Sequence, residues 1–182
     1  MHTGFSMHDG IIRPEDALEK AKQDGMPALA ITDLENIMAS VSFYKQARES
    51  GVKPIIGIDL NVENFEMDGK KEKPAHRLTM IVKSEQGYFN LNKIISRAYI
   101  ENKKPEGAIL KREWLDTMDT TGIIALSGAA EGSISDFLKQ GRVEEAEKEA
   151  AWLNKSFKDD GFYIELQRDG KVGQEEYIGK AV

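Results

Sequence analysis

The side chains with most chemical reach in this sequence are few, and they fall where strands should begin or end. Asp33 follows the apolar run Ala28-Leu29-Ala30-Ile31-Thr32, Asp59 interrupts the run Ile55 to Val62, Arg77 opens a third run, and Ser127 follows a fourth. His2 and Asp9 stand at the start of the chain, beside a turn at Gly10. In parallel α/β folds, sites gather at the C-terminal ends of strands, so these residues are the candidates. Asp33 equally suits the plainer role of N-cap to the helix after it. Asp59 is harder to dismiss, because a carboxylate inside a buried strand must be paired or bind a cation.

Other chemistries have less behind them. Hydrolytic metal sites want several histidines and carboxylates converging, often around two metals, and this chain offers only His2, His8 and His76, widely scattered. Gly128 and Gly132 lack the Lys-Ser/Thr of a phosphate-binding loop. Ser127-Gly128 lacks the glycine spacing of a nucleophile elbow. Ser6-Met7-His8-Asp9 packs triad residue types together, but neighbours on one turn do not converge on a substrate.

These residues need elements to hold them. Short apolar runs alternate with amphipathic stretches, which predicts an α/β fold with a mainly parallel sheet. A helix starts near Pro14 with Ala17, Leu18 and Ala21 on one face, and stops at Gly25. Ile37, Val41, Tyr44 and Ala47 predict a second, closed by Gly51. A strand over Ile55 to Val62 leads to a charged connection, 63–75, with Gly69 and Pro74. Leu78 to Val82 reads as a strand, and Tyr88, Leu91, Ile94, Ile95 and Ala98 as a long helix. A short helical piece around Trp114 precedes a strand at 122–127. Val143, Ala146, Ala150, Leu153 and Phe157 recur at helical spacing. Phe162, Ile164 and Leu166 alternate as a strand, and the last residues read as the start of a further helix, as in a fragment of something larger.

Composition narrows the class. The chain has 182 residues, enough for one domain that buries roughly 70% of its unfolded surface. With no cysteine it has no disulfide framework and no thiolate metal site or nucleophile. No apolar run reaches the ~20 residues of a membrane span, and the reading is a cytoplasmic protein in which the sequon at Asn154 is accidental. A formal net charge of −6 disfavours gripping nucleic acid directly.

Several segments together resemble a known family. His2-Thr3-Gly4-Phe5-Ser6-Met7-His8-Asp9-Gly10, Gly25-Met26-Pro27-Ala28-Leu29-Ala30-Ile31-Thr32-Asp33, Phe43-Tyr44-Lys45 and Gly51-Val52-Lys53-Pro54-Ile55-Ile56-Gly57 follow one another in its order. Gly87-Tyr88-Phe89-Asn90-Leu91 and Ala125-Leu126-Ser127-Gly128 continue it. The pattern resembles the polymerase and histidinol phosphatase (PHP) domains that open bacterial DNA polymerase III alpha subunits. The resemblance implies a distorted (β/α)7 barrel over residues 1–182, truncated at both ends, with the catalytic palm of the parent polymerase and its Mg2+ lying outside the chain.

The resemblance also implies six metal-site positions, and most have changed. His2 and Asp9 match ligands, with the first histidine of the family's opening pair falling before Met1. Leu34 stands where the family has a histidine, Asp59 where it has a glutamate, Arg77 where it has a histidine, and Ala129 where it has another ligand. His76, next to Arg77, would face the opposite side of its strand. The site is therefore expected to hold no metal, with Arg77 pairing Asp9 and Asp59 in its place; removing Arg77 would then cost ~3–5 kcal/mol if those carboxylates are buried. The resemblance implies a non-catalytic scaffold that docks the proofreading exonuclease subunit of the replicase, with the charged connection and exposed helix faces as candidate surfaces. Two alternatives stand beside it: a metal-dependent PHP phosphoesterase (a 3′–5′ exonuclease or pyrophosphatase), and an unrelated α/β binding module.

Overall fold

A computed structural model describes residues 1–7, 9–63, 75–105, 107–168, 170 and 174–181. His8 and nearly all of the charged connection (64–74) lie outside the described residues. After a 3-10 turn at Gly4–Ser6 come α1 (Pro14–Gln23), β1 (Ala28–Leu34), α2 (Ser40–Ser50), β2 (Lys53–Val62), β3 (His76–Val82) and α3 (Glu85–Glu101). A short hairpin of β4 (Lys103–Lys104) and β5 (Gly107–Leu110) follows, then α4 (Arg112–Leu115) and β6 (Ile123–Leu126). A second 3-10 turn, Ala129–Glu131, leads into α5 (Ser133–Lys139), α6 (Val143–Ser156), β7 (Phe162–Tyr163) and α7 (Gln174–Ala181). No helix among the described residues is long and apolar enough to cross a membrane.

The strands form one mixed sheet in the order β4-β5-β2-β3-β6-β7, with β1 also beside β2. The α/β class is as expected, and among the described residues no pairing closes the sheet into a ring. It is not mainly parallel: β1–β2, β2–β5 and β6–β7 are parallel, whereas β2–β3, β3–β6 and β4–β5 are antiparallel. The antiparallel pairs come from β3, which runs against both of its neighbours, and from the β4–β5 hairpin, whose two intervening residues are far too few for the crossover that parallel neighbours need.

β2 is the organising strand. Its residues 53–59 pair with β1, its last two residues pair with β5, and β3 runs along its other side. Because side chains alternate, Ile58, Leu60 and Val62 enter the main core together with Leu78 and Met80 of β3, leaving Asp59, Asn61, Arg77 and Thr79 on the opposite face. Leu91, Ile94 and Ala98 of α3 and Phe137, Leu153 and Phe157 near α5 and α6 complete that core. Leu60 is fully buried, so Leu60→Ala would cost ~2–5 kcal/mol. A smaller core of Leu18, Ala21, Ile31, Phe43 and Ala47 joins α1 and α2 to β1.

Two element readings are corrected. In α2 Ala47 is buried as expected, but Val41 and Tyr44 are exposed, because the helix turns the bulky Phe43, with Ser40, into the core instead. The strand read over Phe162 to Leu166 stops at Tyr163, and Ile164 and Leu166 are exposed. Its ladder ends where the chain turns after β6: Ser127 N–H donates to the Tyr163 carbonyl, and Glu165 N–H donates to Ser127 Oγ instead of to another strand.

Candidate functional site: an ionic cluster at the strand ends

The registers Asp59↔Thr79 and Asn61↔Arg77 place these four side chains on one face of the β2–β3 pair. The N-terminal segment crosses this face and is fastened by Asp33. That carboxylate, only 1% exposed, accepts from Thr3 N–H (2.5 Å), Thr3 Oγ1 (2.8 Å) and Ser6 Oγ (2.8 Å). Asp33 therefore does not cap α2, whose N-cap residue, Ala39, makes no side-chain bond. The unmet donors of the Gly4–Ser6 turn draw it inward, and the fastening delivers His2 and Asp9 to the sheet.

His2 bridges two carboxylates: Nδ1 lies 3.0 Å from Asp9 Oδ2 and Nε2 lies 2.7 Å from Asp59 Oδ2. Both ring nitrogens face carboxylate oxygens, an arrangement that an imidazolium, with its two N–H donors, satisfies. The hydrogen bond to Asp59 raises the His2 pKa above its ordinary value, outweighing burial. Asp59, 7% exposed, also accepts from Thr79 Oγ1 at 2.5 Å. Arg77 Nη1 lies 3.1 Å from Asp9 Oδ2, 3.2 Å from Glu131 Oε2 and 4.0 Å from Asp59 Oδ2. Burial disfavours the charged form of Asp9, but the hydrogen bond from Arg77 and the neighbouring positive charges hold its pKa below the ordinary carboxylate value. Burial, reinforced by the Asp59 charge, pushes the Glu165 carboxyl up.

The cluster is thus divided by depth. The buried Asp59 is matched mainly by His2 and Thr79, whereas Arg77 serves the more exposed Asp9 and Glu131, whose side chains are 46% and 59% exposed. Arg77 and Glu131 also line an open cleft of about 340 Å3, so solvent reaches this end. Among the described residues, Nε of Arg77 is buried without a hydrogen-bond partner.

Leu34 and Ala129 supply no ligand atom; Ala129 is buried in the second 3-10 turn. Ser127 Oγ is engaged by Glu165 N–H. His76 Nε2 faces Asp136 Oδ2 of α5 at 3.9 Å, away from the cluster. The sequence pattern does not single out Thr79, Glu131 or Glu165. Thr79 carries a signal nonetheless, two residues from Arg77 on the same strand face. Glu131 and Glu165 carry no such signal, since a turn and an irregular segment bring them in.

Among the described residues, no group of three or more histidines and carboxylates is arranged to hold a metal ion. The space among three carboxylates is filled by a guanidinium that is charged at every physiological pH, and both nitrogens of His2 are committed to Asp9 and Asp59. What the arrangement does chemically is pair one buried carboxylate, Asp59, and two more exposed ones, Asp9 and Glu131, with protein cations.

The comparisons agree with the family expectation. Over 183 residues, all of this chain and 15% of the relative, it is 38% identical to the DNA polymerase III subunit alpha of Pseudomonas fluorescens. The Escherichia coli K12 subunit of the same name is 35% identical over 182 residues, again 15% of its length. The chain thus spans about 15% of the length of the curated relatives it matches. A solved structure of a protein assigned as a metal-dependent phosphoesterase from Bifidobacterium adolescentis aligns with 53% of this chain and 30% of its own at TM-score 0.41 and 16% identity, too distant to carry an argument. The sequence pattern of the PHP domain matches residues 1–169, and the chain belongs to the PHP domain family.

Proposed function

We propose that this chain is the PHP domain of a bacterial replicative polymerase, acting in the cytoplasm as a non-catalytic scaffold that docks the proofreading exonuclease subunit. Nucleotide transfer, and the Mg2+ it requires, belong to the rest of the parent DNA polymerase, with DNA held there rather than by this acidic domain. The observation that carries the scaffold reading is Arg77, whose Nη1 sits within 4.0 Å of Asp9, Asp59 and Glu131. A site already neutralised by His2 and Arg77 has no opening for the paired cations of a hydrolytic mechanism. The fold is then kept for its surface.

The test is a titration of the chain with the exonuclease subunit of the same organism, in chelator, followed by phosphoesterase assays with added Mn2+ or Zn2+. Saturable one-to-one binding in chelator and no metal-stimulated hydrolysis are expected. Hydrolysis that appears with the metal and disappears with chelator would favour a PHP phosphoesterase instead.

A further inference from the structure

We infer that Glu149, which has no contact with the ionic cluster, is a positioning residue that holds the turn bearing Glu131 against Arg77. Glu149 lies on α6 and is 1% exposed. Its Oε1 accepts from Ser133 Oγ at 2.6 Å and from Arg112 Nη1 at 2.7 Å, and its Oε2 from Arg112 Nη2 at 2.7 Å. Ser133 is the first residue of α5, two positions after Glu131. One buried carboxylate therefore fixes the exit of the 3-10 turn, while Arg112 ties the same carboxylate to α4.

The turn has little freedom at its other contacts. A Cβ at Gly128 would collide with the Arg77 carbonyl, and one at Gly132 with the Ser127 carbonyl. The turn backbone thus lies directly on the strand that carries Arg77, and it closes on itself through Glu131 N–H to the Gly128 carbonyl (3.0 Å). Lys139 Nζ also reaches the Ala130 carbonyl at 2.6 Å, but in an exposed setting. A buried bond to an ionised acceptor contributes more than a solvated lysine contact, so the Ser133–Glu149 link sets the position.

The inference rests on the ionic-cluster reading for its consequence, and its test separates the two. Amide exchange is measured in the parent chain, Ser133→Ala and Lys139→Ala, and an Arg77/Glu131 double-mutant cycle is run in the parent and in Ser133→Ala. Ser133→Ala leaves the Arg112–Glu149 pair in place, so the chain should still fold. Exchange at Glu131 and Gly132 is expected to rise about tenfold in Ser133→Ala, and less than about twofold in Lys139→Ala. The amides of β6 should not change. The Arg77–Glu131 coupling should be measurable in the parent and lost in Ser133→Ala. Unchanged exchange at Glu131 and Gly132 with the coupling intact would overturn the positioning role. Absence of coupling in the parent would overturn the Arg77–Glu131 pair itself, and the exchange rates alone would then decide whether Glu149 anchors the turn.

Discussion

Two arginine–carboxylate groups in this molecule use the same chemistry at different depths. Around Glu149 the pairing is closed: a bidentate guanidinium and a serine hydroxyl saturate a carboxylate that is 1% exposed. Around Arg77 it is shared: one Nη1 serves three carboxylates at 3.1, 3.2 and 4.0 Å, two of them close to half exposed or more. The first is an internal joint between α4, α5 and α6. The second is a surface-facing cluster whose deep member, Asp59, depends on His2 and Thr79. Burial, rather than the number of ion pairs, decides which removal is costly.

That ranking can be broken by experiment. Glu149→Ala should destabilise most, by ~3–5 kcal/mol, because it breaks the buried bidentate pair with Arg112; chemical denaturation measures it, and a loss under 1 kcal/mol would mean that water replaces the carboxylate. Thr79→Val should cost ~1–3 kcal/mol, since Asp59 loses a buried donor. Arg77→Ala should cost ~1 kcal/mol or less and lose part of that in high salt, well short of the ~3–5 kcal/mol expected when Asp9 and Asp59 are both taken as buried.

The pH profile sharpens the same division. His2 has a raised pKa when folded, so its contribution is complete below its ordinary value of 6.5 and is lost as pH rises through the higher folded value. Asp9 is lowered, so its contribution is complete above its ordinary value of 3.8 and is lost as pH falls through the lower folded value. The cluster should therefore stabilise most between these two ordinary values, and the decline on the alkaline side should vanish in His2→Gln. An unchanged alkaline limb in that variant would remove His2 from the account.

What was legible in the sequence follows the same physics. The strands Ala28–Leu34, Lys53–Val62 and His76–Val82 announce themselves as apolar runs, and Asp59 stands out because it breaks one. Arg77 Nη1 lies 3.1 Å from Asp9 and 4.0 Å from Asp59. The division of labour was not legible. That His2 rather than Arg77 matches Asp59 depends on reach, 2.7 Å against 4.0 Å, and Asp33's role depends on a turn folding back over the sheet. The role of Glu149 was hidden because a glutamate in an acidic helical run, Glu144-Glu145-Ala146-Glu147-Lys148-Glu149, looks like any solvated one. Only the packing of α4 and α5 on α6 singles it out.

The central claim is that protein cations occupy the place of metal at this site. Elemental mass spectrometry of the chain, purified without chelator and without a histidine tag, tests it most directly. Zinc and manganese well below one equivalent are predicted. Two or more equivalents, retained through dialysis, would contradict the account.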